Sequence, residues 1–257
     1  MILVKGEHEI SLIRAAANIL SKTLGLMAQE IKPGVTTKKL DRLAEEFIND
    51  QGGKPAFKGF EKFPASLCAS INEVAAHGIP THHPLREGDI VAIDCGVTYQ
   101  GFYSDAAFTF PVGMVSQEAS NLLRITKGAL YKGIKQASAG KRTGDIGQAI
   151  QEHAHKHGCS VIRILAGHGI GRDLHEAPDI PNYGKQGRGI KLKPGMVLAI
   201  EPMINLGGSA VVQESDGWAI RTLDRKLSAH FEHTIALRIH NTEILTTYQY
   251  IEEASQT

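Results

Sequence analysis

The sequence predicts an α/β (α+β) fold made of two similar halves, and three observations carry this prediction. Two helical patterns followed by apolar strands occur twice along the chain, in the same order. Asp94 and Glu201 lie 107 residues apart. The same offset aligns a glycine turn and a helix-capping threonine of the first half with their counterparts in the second half. The run Ile90–Val97 is apolar and rich in β-branched residues, as a buried strand is. We expect one domain with halves at about 1–113 and 114–257.

Each half is expected to begin with two helices. Apolar residues recur at helical spacing over 9–30, 37–51, 116–137 and 143–157, and Gly or Pro-Gly breaks close the patterns. Strands are predicted at 67–76, 90–97, 103–110, 161–166, 197–200 and 228–238. The segment 173–189 is rich in Gly and Pro and is predicted to be a loop.

Asp94 and Asp105 lie on the two strands of a predicted hairpin. They stand on either side of a turn centred between Tyr99 and Gln100, so we expect them to face each other, with Cβ atoms roughly 4.5–5.5 Å apart. Two carboxylates this close on apolar strands cannot both stay ionised unless a proton or a cation lies between them. A surface hairpin with two solvated aspartates is the competing interpretation, and the apolar neighbours of both residues favour burial.

Three further residues extend this pair into a candidate metal site. His168 lies between two glycines, Glu201 follows the apolar run 197–200, and Glu232 lies within the predicted strand 228–238. Four carboxylates would balance two divalent cations, and oxygen ligands with one imidazole suit Mn²⁺, Fe²⁺ or Co²⁺ better than a structural zinc site. Because two such ions share a water or hydroxide, the expected chemistry is hydrolysis of an amide or ester.

Composition limits the partners and the compartment. The net charge of +1 gives no reason to expect nucleic acid or an anionic membrane as a partner. Three cysteines without CxxC spacing exclude a fully paired disulfide framework and suit a reducing compartment. The N-terminal apolar run is short and lacks a basic flank, so the expected location is cytoplasmic. The alternating histidines at 153–157 are interpreted as a solvated helix face.

The motifs around these residues resemble those of type I methionine aminopeptidases of the bacterial kind. The resemblance covers nearly the whole chain and implies the pita-bread metallopeptidase fold, in which antiparallel strands of two pseudo-symmetric halves line a di-metal site and helices lie outside. The motifs that carry it are Asn72–Pro80, Gly88–Gly96, Tyr103–Asp105, Gly167–Gly171, His175–Pro178, Glu201–Pro202 and Phe231–His233.

The resemblance implies removal of the initiator methionine from nascent proteins whose second residue is small. It implies that His175 donates to the scissile carbonyl, that His77 lies beside the leaving nitrogen, and that Glu201 is the general base. The implied metal ligands are the same five residues: Asp94, Asp105, His168, Glu201 and Glu232. The implied methionine pocket is Phe57, Phe60, Phe63, Cys68, Leu174 and Trp218. The implied site for K⁺ or Na⁺ is Asn72, Val74 and Ser228.

The chain departs from the family pattern in the surroundings of the site. Leu174 stands where phenylalanine is usual, Ala76 and Phe57 where cysteine is common, and His230 where glutamine is common. These changes bear on pocket shape and leave the ligand set complete. The ribosome is a further candidate partner, and a monomer is expected.

Two alternatives remain open at this point. One is an Xaa-Pro peptidase of the same fold; such enzymes usually carry a further N-terminal domain, for which 257 residues leave no room. The other is a pita-bread protein that binds partners without catalysis, and such proteins would be expected to have lost metal ligands.

Overall fold

The computed structural model describes residues 2–254, and two helices precede the main strands in each half of the sequence. The helices are α1 (Glu7–Glu30), α2 (Thr37–Asp50), α3 (Gln117–Gln136), α4 (Thr143–Lys156) and α5 (Gln249–Ala254), with a short 3-10 turn at Phe60–Lys62. The four long helices begin and end within about two residues of the predicted bounds. Within residues 2–254, no helix combines the length and apolar character needed to cross a membrane.

The strands form four antiparallel sheets. They are β1 (Lys54–Pro55), β2 (Leu67–Ile71), β3 (Val74–Ala76), β4 (Ile90–Tyr99), β5 (Phe102–Pro111), β6 (Ser160–Val161), β7 (Ala166–Gly169), β8 (Glu176–Pro181), β9 (Val197–Ile200), β10 (Met203–Asn205), β11 (Val211–Gln213), β12 (Ile220–Thr222), β13 (Ser228–His230), β14 (His233–Leu237) and β15 (Thr242–Ile244). In one sheet β1, β2 and β5 pair with β4, and the largest has the order β15-β14-β9-β7-β8. The two smaller sheets are β13-β10-β6 and β11-β12-β3.

One continuous hydrophobic core joins the two halves. It includes Leu24 of α1, Ile93 of β4, Leu130 of α3 and Leu198 of β9, all fully buried. Each such side chain contributes about 1.5–3 kcal/mol to folding. A second apolar cluster beneath α1 contains Ile13 and several of the residues expected to form the methionine pocket. The main core therefore contains residues from both halves of the sequence.

The register of the β4–β5 hairpin differs from the prediction. Asp94 pairs with Ala107 and Asp105 pairs with Gly96, so the two aspartates are diagonal rather than direct neighbours. The turn is Gln100-Gly101, and both residues have positive φ (49° and 80°), as a two-residue type I′ turn requires. Because the register moves by two residues, both carboxylates still lie on the same face of the hairpin.

Three predicted strands are each divided in two. The segment 67–76 turns at Asn72, where φ is 54°, and β3 then pairs with β12 in a different sheet. The segment 161–166 is divided between β6 and β7, and 228–238 is divided between β13 and β14 by Phe231 and Glu232. The last segment is buried on both faces rather than half-buried. Periodicity could not show these breaks, because fragments of two to five residues are too short to carry a pattern of their own.

The prediction of a loop over 173–189 is wrong for part of the segment. Residues 176–181 form β8, which lies at the end of the five-stranded sheet. Pro178 and Pro181 argued against a strand, but an edge strand tolerates proline because one row of its N–H groups is unpaired. The edge position is therefore the physical reason for the error.

Candidate active site

The β4–β5 hairpin and the break before β14 bring three carboxylates together. Glu232 N donates to Ala107 O over 2.9 Å, which ties the break to β5. Thr234 Oγ1 donates to Asp105 O over 2.7 Å and accepts from Asp105 N over 3.0 Å. Tyr248, which is buried, places its hydroxyl 2.7 Å from Ala107 O and 2.8 Å from Glu232 O. The strands that carry Asp105 and Glu232 are thus fixed relative to each other.

His168 and Glu201 come from neighbouring strands of the five-stranded sheet. His168 pairs with Ala199 of β9, and Glu201 directly follows that strand. His168 Nδ1 lies 2.9 Å from Gly169 O; as the donor in this bond it carries the proton, which leaves the lone pair of Nε2 directed at the site. His168 Nε2 is 3.5 Å from Glu201 Oε1.

The structure brings all five predicted metal ligands together. Three overlapping sets each have one ligand atom per residue within 4.8 Å of the others. These sets are Asp94, Asp105 and Glu232; His168, Glu201 and Glu232; and Asp105, His168 and His175. His175, which the resemblance assigns to the substrate carbonyl, therefore lies within reach of the same cluster.

The four carboxyl groups strongly disfavour each other's ionised form. Burial raises the pKa of Asp94 to about 7, and a hydrogen bond with Asp105 partly lowers it. Burial and then the charges of Asp94 and Glu201 raise the pKa of Asp105 well above its usual range. Burial and the charge of Asp94 raise the pKa of Glu201, and burial and the other three carboxylates raise that of Glu232. The cluster therefore favours a bound proton or cation.

The donor atoms of this cluster fit divalent cations. Asp94 Oδ1, Asp105 Oδ1 and Glu232 Oε1 are buried without a hydrogen-bond partner among residues 2–254. Glu201, the fourth carboxylate of the cluster, has ion-pair contacts over the same range with His168 and His230. Buried carboxylate oxygens need a partner, which a cation would supply. The bond from His168 Nδ1 to a backbone carbonyl is also typical of a metal-bound histidine, whose other ring nitrogen holds the ion.

One cavity of about 130 Å³ contains the predicted ligands and the predicted methionine pocket. The pocket side is lined by Phe57, Phe60, Phe63, Cys68, Leu174 and Trp218. Trp218 packs edge-on against Phe63, with ring centroids 5.0 Å apart. This volume is well above the roughly 10–15 Å³ that one water molecule needs, so the cavity has room for a side chain beside the carboxylates.

His77 and His175 line the same cavity. The His175 ring lies 4.3 Å from that of His168 and 5.1 Å from that of Phe60. Burial lowers the pKa of His175, and the Glu61 carboxylate partly raises it again. Burial, and then His175, lowers the pKa of His77. Both imidazoles are therefore neutral near pH 7, and each can donate one N–H to a substrate.

Two residues at the site were not predicted as site residues. Glu61 lines the cavity and adopts a left-handed conformation (φ 47°). His230 was noted only as a departure, yet its unpaired and buried Nε2 lies 3.8 Å from Glu201 Oε2. Neither position carries a local motif. Finding His230 would have required the strand register of 228–230, because the register decides which face of the strand its side chain occupies.

The predicted K⁺ or Na⁺ site lies outside the cavity. Asn72 O accepts from Ser228 N over 2.9 Å, and Val74 pairs with Arg221 of β12. The structure thus brings Asn72 and Ser228 together, and both belong to the ends of strands rather than to the catalytic cavity.

Comparison with known proteins agrees with this geometry. The chain is 52% identical over 246 residues to the methionine aminopeptidase of Clostridium perfringens, covering 96% of this chain and 99% of that one. The crystal structure of methionine aminopeptidase from Rickettsia prowazekii matches with a TM-score of 0.95 at 43% identity, over 96% of this chain and 100% of that one. Prolidase from Pyrococcus furiosus shares the fold, with a TM-score of 0.77 at 24% identity over 95% of this chain and 65% of that one. The pita-bread fold is confirmed, and because residues 11–238 match metallopeptidase family M24, the chain belongs to that family.

Proposed function

We propose that the chain is a metal-dependent aminopeptidase that removes the N-terminal methionine from proteins whose second residue is small. The observation that carries the proposal is the apolar pocket that shares one cavity with the carboxylate cluster. A relative named methionine aminopeptidase, 52% identical over nearly the full length of both chains, supports the same activity.

The pocket suits a thioether side chain. Phe63, Cys68 and Leu174 are 4%, 4% and 2% exposed, so its walls are preformed by packing. Aromatic edges and a thiol make favourable contacts with methionine sulfur. A charged or strongly polar first residue would lose its hydration there without gaining partners, so the pocket favours methionine.

We infer that Asp94, Asp105, His168, Glu201 and Glu232 hold two divalent cations, with Mn²⁺, Fe²⁺ and Co²⁺ as the candidate ions. The unpartnered carboxylate oxygens and their raised pKa values support this ligand set. When bound, such ions supply Lewis acidity that activates water and polarises a carbonyl.

The protein's own residues would then divide the remaining work. Glu201, with a carboxyl pKa raised by burial, would take up the proton of the attacking water. His175 would donate to the scissile carbonyl oxygen as negative charge develops there. His77, whose ring lies 6.4 Å from that of Trp218, would donate to the nitrogen of the second residue. Two imidazoles at the opening of the pocket would leave little room for a branched second residue.

The remaining parts of the proposal concern the setting of the enzyme. We propose nascent chains as substrates, a single catalytic domain of two similar halves, a monomer, and a cytoplasmic location, with the ribosome as a candidate partner. K⁺ or Na⁺ binding at the carbonyls of Asn72, Val74 and Ser228 is part of the same proposal and rests on the resemblance to the family.

A peptidase assay tests the proposed function. Purified protein loaded separately with Mn²⁺, Fe²⁺ or Co²⁺ is expected to release free methionine from Met-Ala-Ser rapidly. Met-Ile-Ser is expected to be cut far more slowly, and an Ala-Pro peptide not at all. Asp105→Asn prepared in parallel controls for aminopeptidases carried over from the expression host. Equal kcat/KM for Met-Ala-Ser and Met-Ile-Ser would contradict the size filter, and no methionine release with any of the three ions would contradict the function.

A further inference from the structure

Lys5, in the segment that precedes α1, is buried against the loop that joins β7 to β8. It is 4% exposed, although lysine is almost never buried without a partner. Its Nζ donates to Glu176 Oε2, and its backbone N donates to Gly195 O over 2.7 Å. Its aliphatic stem crosses Gly171 so closely that a Cβ atom there would lie 2.4 Å from Lys5 Cε. The N-terminal segment is thereby tied to the loop 171–175.

Glu176 connects this lysine to the backbone of the loop. Its second oxygen, Oε1, accepts from Arg172 N over 2.7 Å and from Asp173 N over 3.2 Å. The start of the loop is fixed as well, because Gly171 O accepts from Tyr103 N over 2.8 Å. One buried carboxylate therefore joins the ammonium of Lys5 to two amides of the loop.

The loop carries two groups that face the substrate. Leu174 lines the apolar pocket, and His175 follows it at the cavity opening, immediately before Glu176. Because the Glu176 carboxylate holds the amides of Arg172 and Asp173, and Glu176 itself follows His175 in the chain, its bonds fix the backbone on both sides of the imidazole.

We propose that Lys5 is a positioning residue for His175 and acts through Glu176; the inference rests on the proposed function. Removing the ammonium leaves a buried carboxylate without a counter-charge, which is strongly unfavourable. The carboxylate then turns toward solvent and releases the amides of Arg172 and Asp173. A displacement of about 1 Å in a catalytic group lowers the rate on the order of 100-fold.

Lys5→Met tests the proposal, because methionine keeps most of the stem that packs on Gly171 and removes the charge. We expect kcat on Met-Ala-Ser to fall roughly 10- to 100-fold, with bound metal unchanged. KM should change less than kcat, because five of the six pocket residues lie outside the loop and only Leu174 belongs to it. The double variant Lys5→Met/Glu176→Gln should recover most of kcat, since the neutral amide oxygen still accepts from the loop and no buried charge is left unpaired.

Lys39→Met is the matched control, because Lys39 also forms an ion pair, with Glu30, but its side chain is 44% exposed and lies away from the cavity. Its kcat should equal that of the wild type. A folded, metal-loaded Lys5→Met enzyme with wild-type kcat overturns the proposal, and so does a double variant that is no more active than the single one.

Should Lys5→Met not fold, Lys5→Gln provides the same comparison, because it removes the charge and keeps a polar head group on the side of Glu176. Wild-type kcat in a folded, metal-loaded Lys5→Gln enzyme would then overturn the proposal. The wild-type assay separates this inference from the proposed function. If the wild type releases no methionine, the function fails; if it does and the Lys5 variants match it, only the positioning role fails.

Discussion

Removing the metal should make the stability of this protein fall as pH rises, and Asp94→Asn should reduce that fall. In the metal-free fold the pKa of Asp94 is raised to about 7 from an ordinary value of 3.8. The unfolded chain therefore loses this proton at lower pH than the folded protein does. The favourable contribution is complete below about pH 4 and is lost as pH rises through about 7.

The size of the effect follows from the same two values. Each unit between the folded and unfolded pKa corresponds to about 1.4 kcal/mol, which gives on the order of 4 kcal/mol for Asp94. Its carboxyl borders the cavity, where solvent screening reduces the figure, so we expect about 2–4 kcal/mol. For a chain of this length, 1 kcal/mol changes Tm by about 2–4 °C, and the total is roughly 4–16 °C.

Urea unfolding of chelator-treated protein at pH 5, 6, 7 and 8 measures this directly. Wild type should lose stability across the series, and metal-free Asp94→Asn should be the more stable protein at pH 8. Adding Mn²⁺ at pH 8 should restore the wild type far more than the variant, because binding stabilises only the folded state. Asp50→Asn, on an exposed helix end, controls for the substitution type. Parallel pH curves for metal-free wild type and Asp94→Asn would refute the reasoning.

Three further predictions concern the same cavity. Asp105→Asn should abolish turnover while the protein stays folded, because Asp105 belongs to two of the overlapping ligand sets; near-normal activity of a metal-replete variant would contradict its assignment as a ligand. His175→Ala should lower kcat on the order of 10²–10³-fold, the usual loss for one oxyanion donor, with metal content by elemental analysis unchanged; matching losses of metal and activity would make His175 a ligand instead. Tyr248→Phe should cost about 1–3 kcal/mol in urea unfolding, because the one hydroxyl proton that Ala107 O and Glu232 O share is lost from a buried site; an unchanged midpoint would show that another donor replaces the hydroxyl.

Sequence reasoning could identify the residues whose types carry chemistry. Asp94 and Asp105 stood out because charged groups within apolar strands need compensation, and this holds whatever the register. The assumed register was wrong by two residues, yet a shift of two keeps a side chain on the same face. The prediction of a shared site therefore survived an error in the turn, whereas an error of one residue would have separated the two carboxylates.

The breaks between strands could not be predicted in the same way. Glu232 lies where β13 ends and β14 begins, and this break rather than a strand register turns its carboxylate toward Asp105. Residues 228–238 follow the alternating pattern of a half-buried strand, with Phe231 and Ile235 on one face, so the pattern shows no interruption at the break. The bonds that fix the break come from Ala107 and Tyr248, which are remote in the sequence. Local pattern alone holds no information about partners at that distance.

The contact between Lys5 and Glu176 marks the limit of sequence reasoning most clearly. Four carboxylates and an imidazole can be grouped from the sequence because each buried group needs the others or a cation. The chemistry of these residues therefore indicates their partners. A lysine and a glutamate 171 residues apart have no such requirement, because water satisfies both equally well in most folds. Only burial makes the pair specific, and burial of Lys5 depends on the bare Cα of Gly171. Residues that perform chemistry can therefore be found from their types, whereas residues that position them must be found from the packing, and the Lys5 variants test whether that packing controls the rate.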